Sequence, residues 1–163
     1  MDMGFEEAWA EASPLIQMNK DEARELWEQA VTLGEGRVIV EIGTLKGGSA
    51  IMLASRGSHV HTVDIVQHQE VPVNRFTQII GKSTNAATEW KLPIDLLLID
   101  GDHHYESVRE DLVAWLRHVR AGGIILFHDY DSHLGVTKAV HEAIEGKSIE
   151  LVKKVGSLLI TRK

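Results

Sequence analysis

Residues 38–50 read VIVEIGTLKGGSA, and this stretch decides the fold. The β-branched run at its start predicts a buried strand over 38–43. Gly43, Gly47 and Gly48 then permit a sharp turn in which backbone N–H groups can approach a ligand before the next helix begins. A buried strand, a glycine turn and a helix in this order are typical of nucleotide-binding α/β folds.

Strand and helix signals alternate along the rest of the chain. Further strands are predicted at 59–65, 76–81, 95–100 and 122–129, and helices over 19–33, 47–57, 105–120 and 135–146. Residues 149–162, IELVKKVGSLLITR, predict two strands that are joined too tightly for a crossover helix. We therefore predict an α/β fold, a Rossmann-like doubly wound sheet of seven mostly parallel strands with an antiparallel last strand.

The chain is long enough for one domain, and we predict a single domain over 1–163. Its segment 1–36 is expected to be helical, with Asn19 as an N-cap and Glu22 at the capping-box position, and 37–163 is the expected catalytic core. Residues 66–75, VQHQEVPVNR, form the least regular segment and predict a surface loop.

Composition excludes several classes of function. A formal charge of −7 argues against a general nucleic-acid or anionic-membrane surface, and the absence of cysteine excludes disulfides and cysteine-based zinc sites. No segment approaches the roughly 18 apolar residues of a membrane span. The acidic start has no apolar core, so we expect no signal peptide and, by default, a cytoplasmic location.

Acids and imidazoles cluster where two predicted strands end. Residues 97–108 read LLIDGDHHYESV and place Asp100 and His103 directly after an apolar run, while 124–133 read IILFHDYDSH and place His128 and Asp129 in the same way. Such a cluster is costly inside a core. Because ligands bind at the carboxyl ends of parallel strands, the two strand ends predict a functional site.

An acidic residue precedes the glycine turn and another follows it at the end of the next strand. Glu41 precedes Gly43, and Asp64 ends the next strand 21 residues after Gly43, where it is placed to accept hydrogen bonds from ribose hydroxyls. The spacing E-x-G-x-x-x-G-x-S departs from the dinucleotide fingerprint. An acid at Glu41 suits a cationic ligand better than a pyrophosphate, which disfavours a nicotinamide-dependent oxidoreductase.

In EIGTLKGGS, HTVD, DLLLIDGDHHY and GGIILFHDY, taken in order, the chain resembles the class I S-adenosylmethionine-dependent methyltransferases over roughly residues 37–163. The resemblance implies S-adenosylmethionine as the cofactor. It also implies cofactor-binding residues in three groups: Glu41, Gly43, Thr44, Gly47 and Ser49 near the methionine moiety, Asp64 on the ribose, and Gly81, Lys82 and Ser83 beside the adenine, with Asp100 bordering the same pocket.

Within that class, IDGDHHY followed by FHDY is most similar to the metal-dependent O-methyltransferases of sugars and natural products, the macrocin O-methyltransferase and cephalosporin hydroxylase-like group. The resemblance implies Asp100 and Asp129 as metal ligands, with His103 as the general base and Asp100 also at the catalytic centre. His128 stands where these relatives have an acid. Either His128 is a third ligand and favours manganese, iron or zinc over magnesium, or it points away and leaves the metal site incomplete. A ring that simply bonds a backbone carbonyl is a further possible interpretation.

The function expected from the sequence is methyl transfer to a hydroxyl of a small molecule, assisted by a divalent metal. Two alternatives stay open: a metal-independent methyltransferase, and a non-catalytic module that binds S-adenosylmethionine or S-adenosylhomocysteine. A homo-oligomer could complete the pocket with the partner's amino-terminal helix. The remaining polar and aromatic candidates are interpreted as surface, capping or packing residues: His59, His61, His118, His133 and His141, then Asp102 and His104, then Trp9, Trp27 and Trp115.

Overall fold

A computed structural model describes residues 3–68 and 74–163 of the chain. Within these ranges strands and helices alternate from residue 38 onward, after two amino-terminal helices. In chain order the elements are α1 Phe5–Ala12, α2 Lys20–Leu33, β1 Val38–Ile42, α3 Gly48–Ala54, β2 His59–Asp64, β3 Thr77–Ile80, α4 Ser83–Glu89, β4 Ile94–Ile99, α5 Tyr105–Leu116, β5 Val119–Phe127, α6 Leu134–Glu145, β6 Glu150–Val155 and β7 Leu158–Arg162.

The seven strands form one sheet in the order β3-β2-β1-β4-β5-β7-β6. Strands β1 to β5 pair in parallel, and β7 runs antiparallel to both β5 and β6. The predicted fold class, including the antiparallel last strand, is confirmed. The strand order reverses between β1 and β4, and a doubly wound sheet opens a crevice at the carboxyl ends of the strands on either side of such a point.

Helices cover both faces of the sheet. One apolar cluster lies under α1, α2 and α3 and includes Leu26 and Ile51, and a second lies under α4, α5 and α6 and includes Trp115 and Phe127. Every residue of β4 is buried, because this strand lies in the middle of the sheet between the two clusters. Trp9 and Trp27 pack, partly buried, against the first cluster, as the packing interpretation expects.

The amino-terminal helices are held by local capping and by contacts with the core. Asn19 Oδ1 accepts hydrogen bonds from the backbone N–H groups of Asp21 and Glu22, and the Glu22 carboxylate accepts one from the Asn19 N–H. This is the predicted capping box, which satisfies N–H groups that a helix start otherwise leaves without partners. Gly48, at the start of α3, lies so close to the backbone of Ile16 that a Cβ would stand 2.4 Å from its nitrogen.

One helix boundary predicted from the sequence is wrong, and one helix was missed. Helix α5 ends at Leu116, short of the predicted Arg120, because β5 already begins at Val119, which pairs with Ile94. Helix α4 was not predicted at all. Its sequence STNAATE buries only Ala87, so it offers no apolar periodicity to detect.

Two further expectations concern the loop at 66–75 and the membrane. Residues 69–73 of that predicted loop lie outside the described residues. In the described ranges no helix combines the length and apolar character that crossing a bilayer requires.

Candidate active site

A cavity of about 720 Å³ opens at the carboxyl ends of the strands, where the strand order reverses. Its lining joins the two regions that the sequence singled out, the glycine turn and the acid–imidazole cluster. Predicted site residues on its wall are Gly43, Thr44, Ser49, Asp64, Gly81, Lys82, Ser83, Asp100, His103, His128 and Asp129. We call the part near Gly43 and Asp64 the glycine end, and the part near Asp100, His103, His128 and Asp129 the acid–imidazole end.

Gly43 sets how closely β1 approaches the end of β4. Its φ is +97°, and a Cβ there would lie 2.1 Å from the Asp100 carbonyl oxygen. Its N–H donates to the Val63 carbonyl at 2.8 Å, and the Asp100 N–H donates to Ile42 at 2.9 Å. No side chain fits between these backbones, so the glycine end depends on the absence of one at this position.

Glu41 lies behind the cavity wall rather than on it. It is fully buried, its Oε1 accepts a hydrogen bond from the Ser49 hydroxyl, and Ser49 lines the cavity. The other carboxylate oxygen, Oε2, has no hydrogen-bond partner among the described residues. Burial raises the pKa of Glu41 well above its usual value; the Ser49 hydroxyl opposes this shift, and the Asp100 and Asp64 carboxylates add to it.

Asp64 ties the glycine turn to the end of β2. Its Oδ2 accepts the backbone N–H groups of Thr44 and Leu45, each at 3.0 Å, and its Oδ1 accepts that of Val66 at 3.1 Å. A carboxylate offers about four acceptor positions, so Asp64 retains capacity for a ligand hydroxyl. Its role on a ribose stays a prediction, while its role in holding the loop is observed.

The predicted adenine side contains a carboxylate that the sequence analysis missed. Asp111, on α5, lines the cavity with Gly81 and Ser83. Burial raises the pKa of Asp111 to about 6, against the opposing effect of a hydrogen bond from Ser83. The Ser83 hydroxyl also accepts from Trp115 Nε1 at 2.7 Å. Asp111 sits within a regular amphipathic helix, which gave no local sign that it faces a cavity.

At the acid–imidazole end, His128 points at two carboxylates. Its Nδ1 lies 3.1 Å from Asp100 Oδ1 and 3.4 Å from Asp129 Oδ2. The alternative in which this ring bonds a backbone carbonyl is therefore wrong. Donor atoms of Asp100, His128 and Asp129 all lie within 4.8 Å of one another. Two carboxylates and an imidazole are a donor set that fits a divalent ion of borderline softness.

Without a metal, His128 itself supplies positive charge between the carboxylates. Burial lowers the pKa of His128, but the hydrogen bond to Asp100 and the charges of Asp100, Asp129 and Glu22 outweigh it, and the pKa rises to about 9. Burial also raises the pKa of Asp100, against the stabilising effect of His128. At neutral pH the ring is therefore an imidazolium, and a metal bound at Nδ1 would have to displace its proton.

Glu22 of α2 contacts His128 but is not among the residues that line the cavity. Its Oε2 lies 3.5 Å from His128 Nε2, and its Oε1 accepts from the backbone N–H and the hydroxyl of Ser157, at 2.6 and 2.9 Å. Burial opposes ionisation, but these hydrogen bonds and the His128 charge leave the pKa of Glu22 below its usual value. The sequence identified Glu22 only as a capping residue, since nothing local relates it to a position 106 residues away.

His103 is paired with Asp129 and stacked on a second imidazole. Its Nε2 lies 2.8 Å from Asp129 Oδ2, and its ring stacks on that of His133 with centroids 4.1 Å apart. His133 Nδ1 lies 3.8 Å from Asp129 Oδ1. His133 is exposed, as the surface interpretation expects, but its ring also contacts His103 and lies near Asp129. Asp129 has a left-handed backbone, with a φ of +59°, a conformation that aspartate tolerates better than most residues.

Asp102 and His104 behave as the sequence interpretation expects. Both are largely exposed, and Asp102 accepts hydrogen bonds from the Ser107 hydroxyl at 2.6 Å and from the His104 side chain at 2.7 Å. The hydrogen bond from the Ser107 hydroxyl, and to a smaller extent the one from His104, hold the pKa of Asp102 far below its usual value. These contacts stabilise the start of α5, and neither residue belongs to the group around Asp129.

The sheet order, the glycine turn and the cavity at the switch point define a class I S-adenosylmethionine-dependent methyltransferase fold. The model of the family described as "Methyltransferase domain" matches residues 40–130, more than half of the chain, and the chain belongs to this family.

The chain is also similar to three individual proteins. The uncharacterized protein R132 of Acanthamoeba polyphaga mimivirus is 30% identical over an alignment of 114 residues, and the match covers 58% of this chain and 52% of that protein. The mycinamycin-pathway methyltransferase MycE, solved with Mg and SAH, superimposes with a TM-score of 0.76 at 19% identity, over 99% of this chain and 55% of that one. The O-methyltransferase NovP superimposes with a TM-score of 0.71 at 19% identity, over 86% of this chain and 77% of that one. The chain thus spans about half the length of R132 and MycE.

Proposed function

We propose that the protein transfers a methyl group from S-adenosylmethionine to a hydroxyl of a small molecule, with His103 as the general base and with a divalent ion held by Asp100, His128 and Asp129. The observation that carries the proposal is the single cavity of about 720 Å³ that joins the glycine turn to these four side chains. MycE, which has the same fold, was solved with Mg and SAH, and this supports the same ligand classes here.

The glycine end fits the methyl donor. Gly43, which packs against the Asp100 carbonyl, lines the cavity without a side chain. The partnerless Oε2 of Glu41 sits behind Ser49, and a cationic ligand near it would favour the ionised carboxylate. Asp64 offers its remaining acceptor capacity to hydroxyl groups, and Ser83 and Asp111 offer polar atoms on the opposite side. When bound there, the donor supplies a methyl group on a positively charged sulfur.

At the acid–imidazole end, the chain's own residues handle the proton. Asp129 Oδ2 holds His103 Nε2 at 2.8 Å, which leaves Nδ1 of His103 to accept the proton of the acceptor hydroxyl. The hydroxyl oxygen then forms the new bond to the methyl carbon as the carbon–sulfur bond breaks and its electron pair stays on sulfur. Asp129 stabilises the imidazolium that results. A divalent ion on Asp100, His128 and Asp129 would lower the pKa of the hydroxyl and orient it.

A second candidate, a metal-independent methyltransferase, is favoured by one observation. The His128 imidazolium, whose pKa is about 9, already neutralises charge between Asp100 and Asp129. In this case His103 and Asp129 act on the proton in the same way, while His128 remains protonated.

Calorimetric titration with S-adenosylmethionine tests both, first in chelator and then with magnesium, manganese or zinc, alongside release of S-adenosylhomocysteine with a panel of hydroxyl acceptors. Under the leading proposal, turnover requires metal, and the Asp100→Asn variant has no turnover whether or not metal is added. Asp102→Asn is the matched control, since Asp102 lines the same cavity but belongs to neither metal-ligand group. Turnover unaffected by chelator supports the second candidate. Absence of donor binding under every condition contradicts both.

A further inference from the structure

We propose that His103, Asp129 and His133 form a second site, which shares Asp129 with the Asp100–His128–Asp129 group, for a borderline divalent transition metal such as Zn²⁺ or Co²⁺. One donor atom from each of the three side chains lies within 4.8 Å of the others. Two imidazoles and one carboxylate are a recurrent protein set for zinc and other transition metals, and they leave coordination positions open. Magnesium, which prefers oxygen ligands, is not expected to bind there.

Distances within the group are already near those of a coordination sphere. Zinc binds imidazole nitrogen and carboxylate oxygen at about 2.0–2.2 Å, so neighbouring donors around it stand roughly 3–3.5 Å apart. Here His103 Nε2 lies 2.8 Å from Asp129 Oδ2, and His133 Nδ1 lies 3.8 Å from Asp129 Oδ1. The two distances involve different oxygens of Asp129, and the imidazole rings lie in nearly parallel planes. Binding of one ion by both nitrogens therefore requires the His133 ring to rotate out of its stack on His103.

The backbone holds the two imidazoles together. Gly135, in the first turn of α6, packs so tightly against the start of α5 that a Cβ would lie 2.3 Å from the His103 carbonyl oxygen. This contact places His133, the residue just before α6, with its ring stacked on His103 at an interplanar angle of 18°. The left-handed backbone of Asp129 turns its carboxylate toward the same pair.

The group is also accessible and fixed by a local hydroxyl. The side chains of His103 and His133 are 43% and 45% exposed, so an ion can reach them from solvent. The Ser132 hydroxyl donates to the Asp129 carbonyl at 3.0 Å and lies 3.3 Å from Asp129 Oδ1 and 3.4 Å from His133 Nδ1. Such a neighbour orients the carboxylate, as second partners of metal ligands commonly do.

Zinc binding by this site is measured directly, without methyl donor or acceptor. The metal-free protein is titrated with Co²⁺, whose visible absorption reports nitrogen and oxygen ligands, and the bound Co²⁺ is displaced with Zn²⁺. We expect His133→Phe, which keeps an aromatic ring against His103 but lacks the nitrogen, to weaken Zn²⁺ binding at least tenfold. His103→Gln is expected to do the same.

Two controls separate this site from its neighbours. His141→Phe removes another exposed imidazole, one paired with the Tyr130 hydroxyl, and should leave affinity unchanged within twofold. Asp100→Asn removes a ligand of the other group only, so Zn²⁺ bound by that group should be lost while the affinity of the His103–Asp129–His133 site stays unchanged within twofold. The proposal is overturned if His133→Phe binds Zn²⁺ as the wild type does, or if Asp100→Asn weakens binding as much as His133→Phe.

Occupancy has one consequence that rests on the proposed function. An ion on His103 Nε2 keeps the proton on Nδ1 and removes the base, so micromolar Zn²⁺ should inhibit turnover in the wild type and much less in His133→Phe. If no turnover is found, the titrations still decide whether the site exists.

Discussion

The two ends of the cavity are held by different means. At the glycine end, most of the stabilising contacts involve backbone groups. Gly43 packs against the Asp100 carbonyl, and Asp64 accepts hydrogen bonds from three backbone N–H groups. At the acid–imidazole end, the contacts run between side chains from α2, from the ends of β4 and β5, and from the turn before α6. The glycine end should therefore lose its structure when a side chain is added where its backbones meet. At the acid–imidazole end, removing one charge or one nitrogen should weaken single contacts and leave the others in place.

The largest effect is expected from filling the space at Gly43. Gly43→Ala places a methyl group against the Asp100 carbonyl in a left-handed conformation, so we expect a loss of about 3 kcal/mol or more in the free energy of unfolding. Donor binding should be lost with it. Gly36→Ala is the control, because Gly36 has a φ of +70° but nothing within 4 Å of a Cβ, and about 1 kcal/mol is expected there. Urea denaturation measures both, and equal losses would contradict the close-approach argument.

The next effect separates the two ends functionally. His103→Gln should lower kcat by roughly 100-fold or more, the usual contribution of a general base, while the donor Kd stays within twofold. His104→Gln, at a neighbouring position whose side chain is 82% exposed, should change neither. Steady-state rates and donor calorimetry on the three proteins check this. A parallel loss of donor affinity in His103→Gln would mean that the two ends are not separable.

A smaller effect is expected from the carboxylate that reaches in from α2. The Glu22 carboxylate accepts hydrogen bonds from Asn19 and Ser157 and lies beside His128. Glu22→Gln replaces one of its accepting oxygens with an NH₂ group and should lower the free energy of unfolding by about 2 kcal/mol. The pKa of His128, followed by NMR, should fall as well. Glu25→Gln alters a similarly buried carboxylate on the same helix, one paired with Lys153, and should cost about 1 kcal/mol or less without moving the pKa of His128.

The smallest expected effect is a slope of stability with pH. The folded pKa of His128, about 9, exceeds its ordinary value of 6.5, so the stabilisation is complete below pH 6.5 and is lost as pH rises through 9. Asp100, Asp129 and Glu22 face the ring, and burial of the ring offsets part of their effect, so about 1–3 kcal/mol should disappear across this window. His128→Gln should flatten the slope. An unchanged slope in that variant would assign the effect to other groups.

The same contrast explains what could be predicted from sequence. Strands and glycine turns leave local patterns, so the fold class followed from short runs such as VIVEIG and GGSA. The antiparallel last strand followed from the tight connection within residues 149–162. Asp100, His103, His128 and Asp129 were found because each ends an apolar strand. Glu22 and His133 were not recognised as site residues, since they arrive from a helix and a turn whose own sequences give no reason to face the strand ends. Their positions depend on tertiary packing. Gly135 packs against the start of α5, and Gly156, in the turn between β6 and β7, lies so close to Glu22 that a Cβ would stand 2.4 Å from its Oε1.

The turn between β6 and β7 limits how this protein can be divided into parts. Ser157 binds Glu22 of α2 through its N–H and hydroxyl, and its carbonyl accepts the N–H of Tyr130, next to Asp129. The segment that matches the family model, 40–130, contains none of Glu22, His133 and Ser157. A chimera that grafts this segment alone onto another scaffold would carry over Asp100, His103, His128 and Asp129. It would lack Glu22, which contacts His128, and Ser157, which holds Glu22. A graft intended to preserve the acid–imidazole end must take residues 19–162 together.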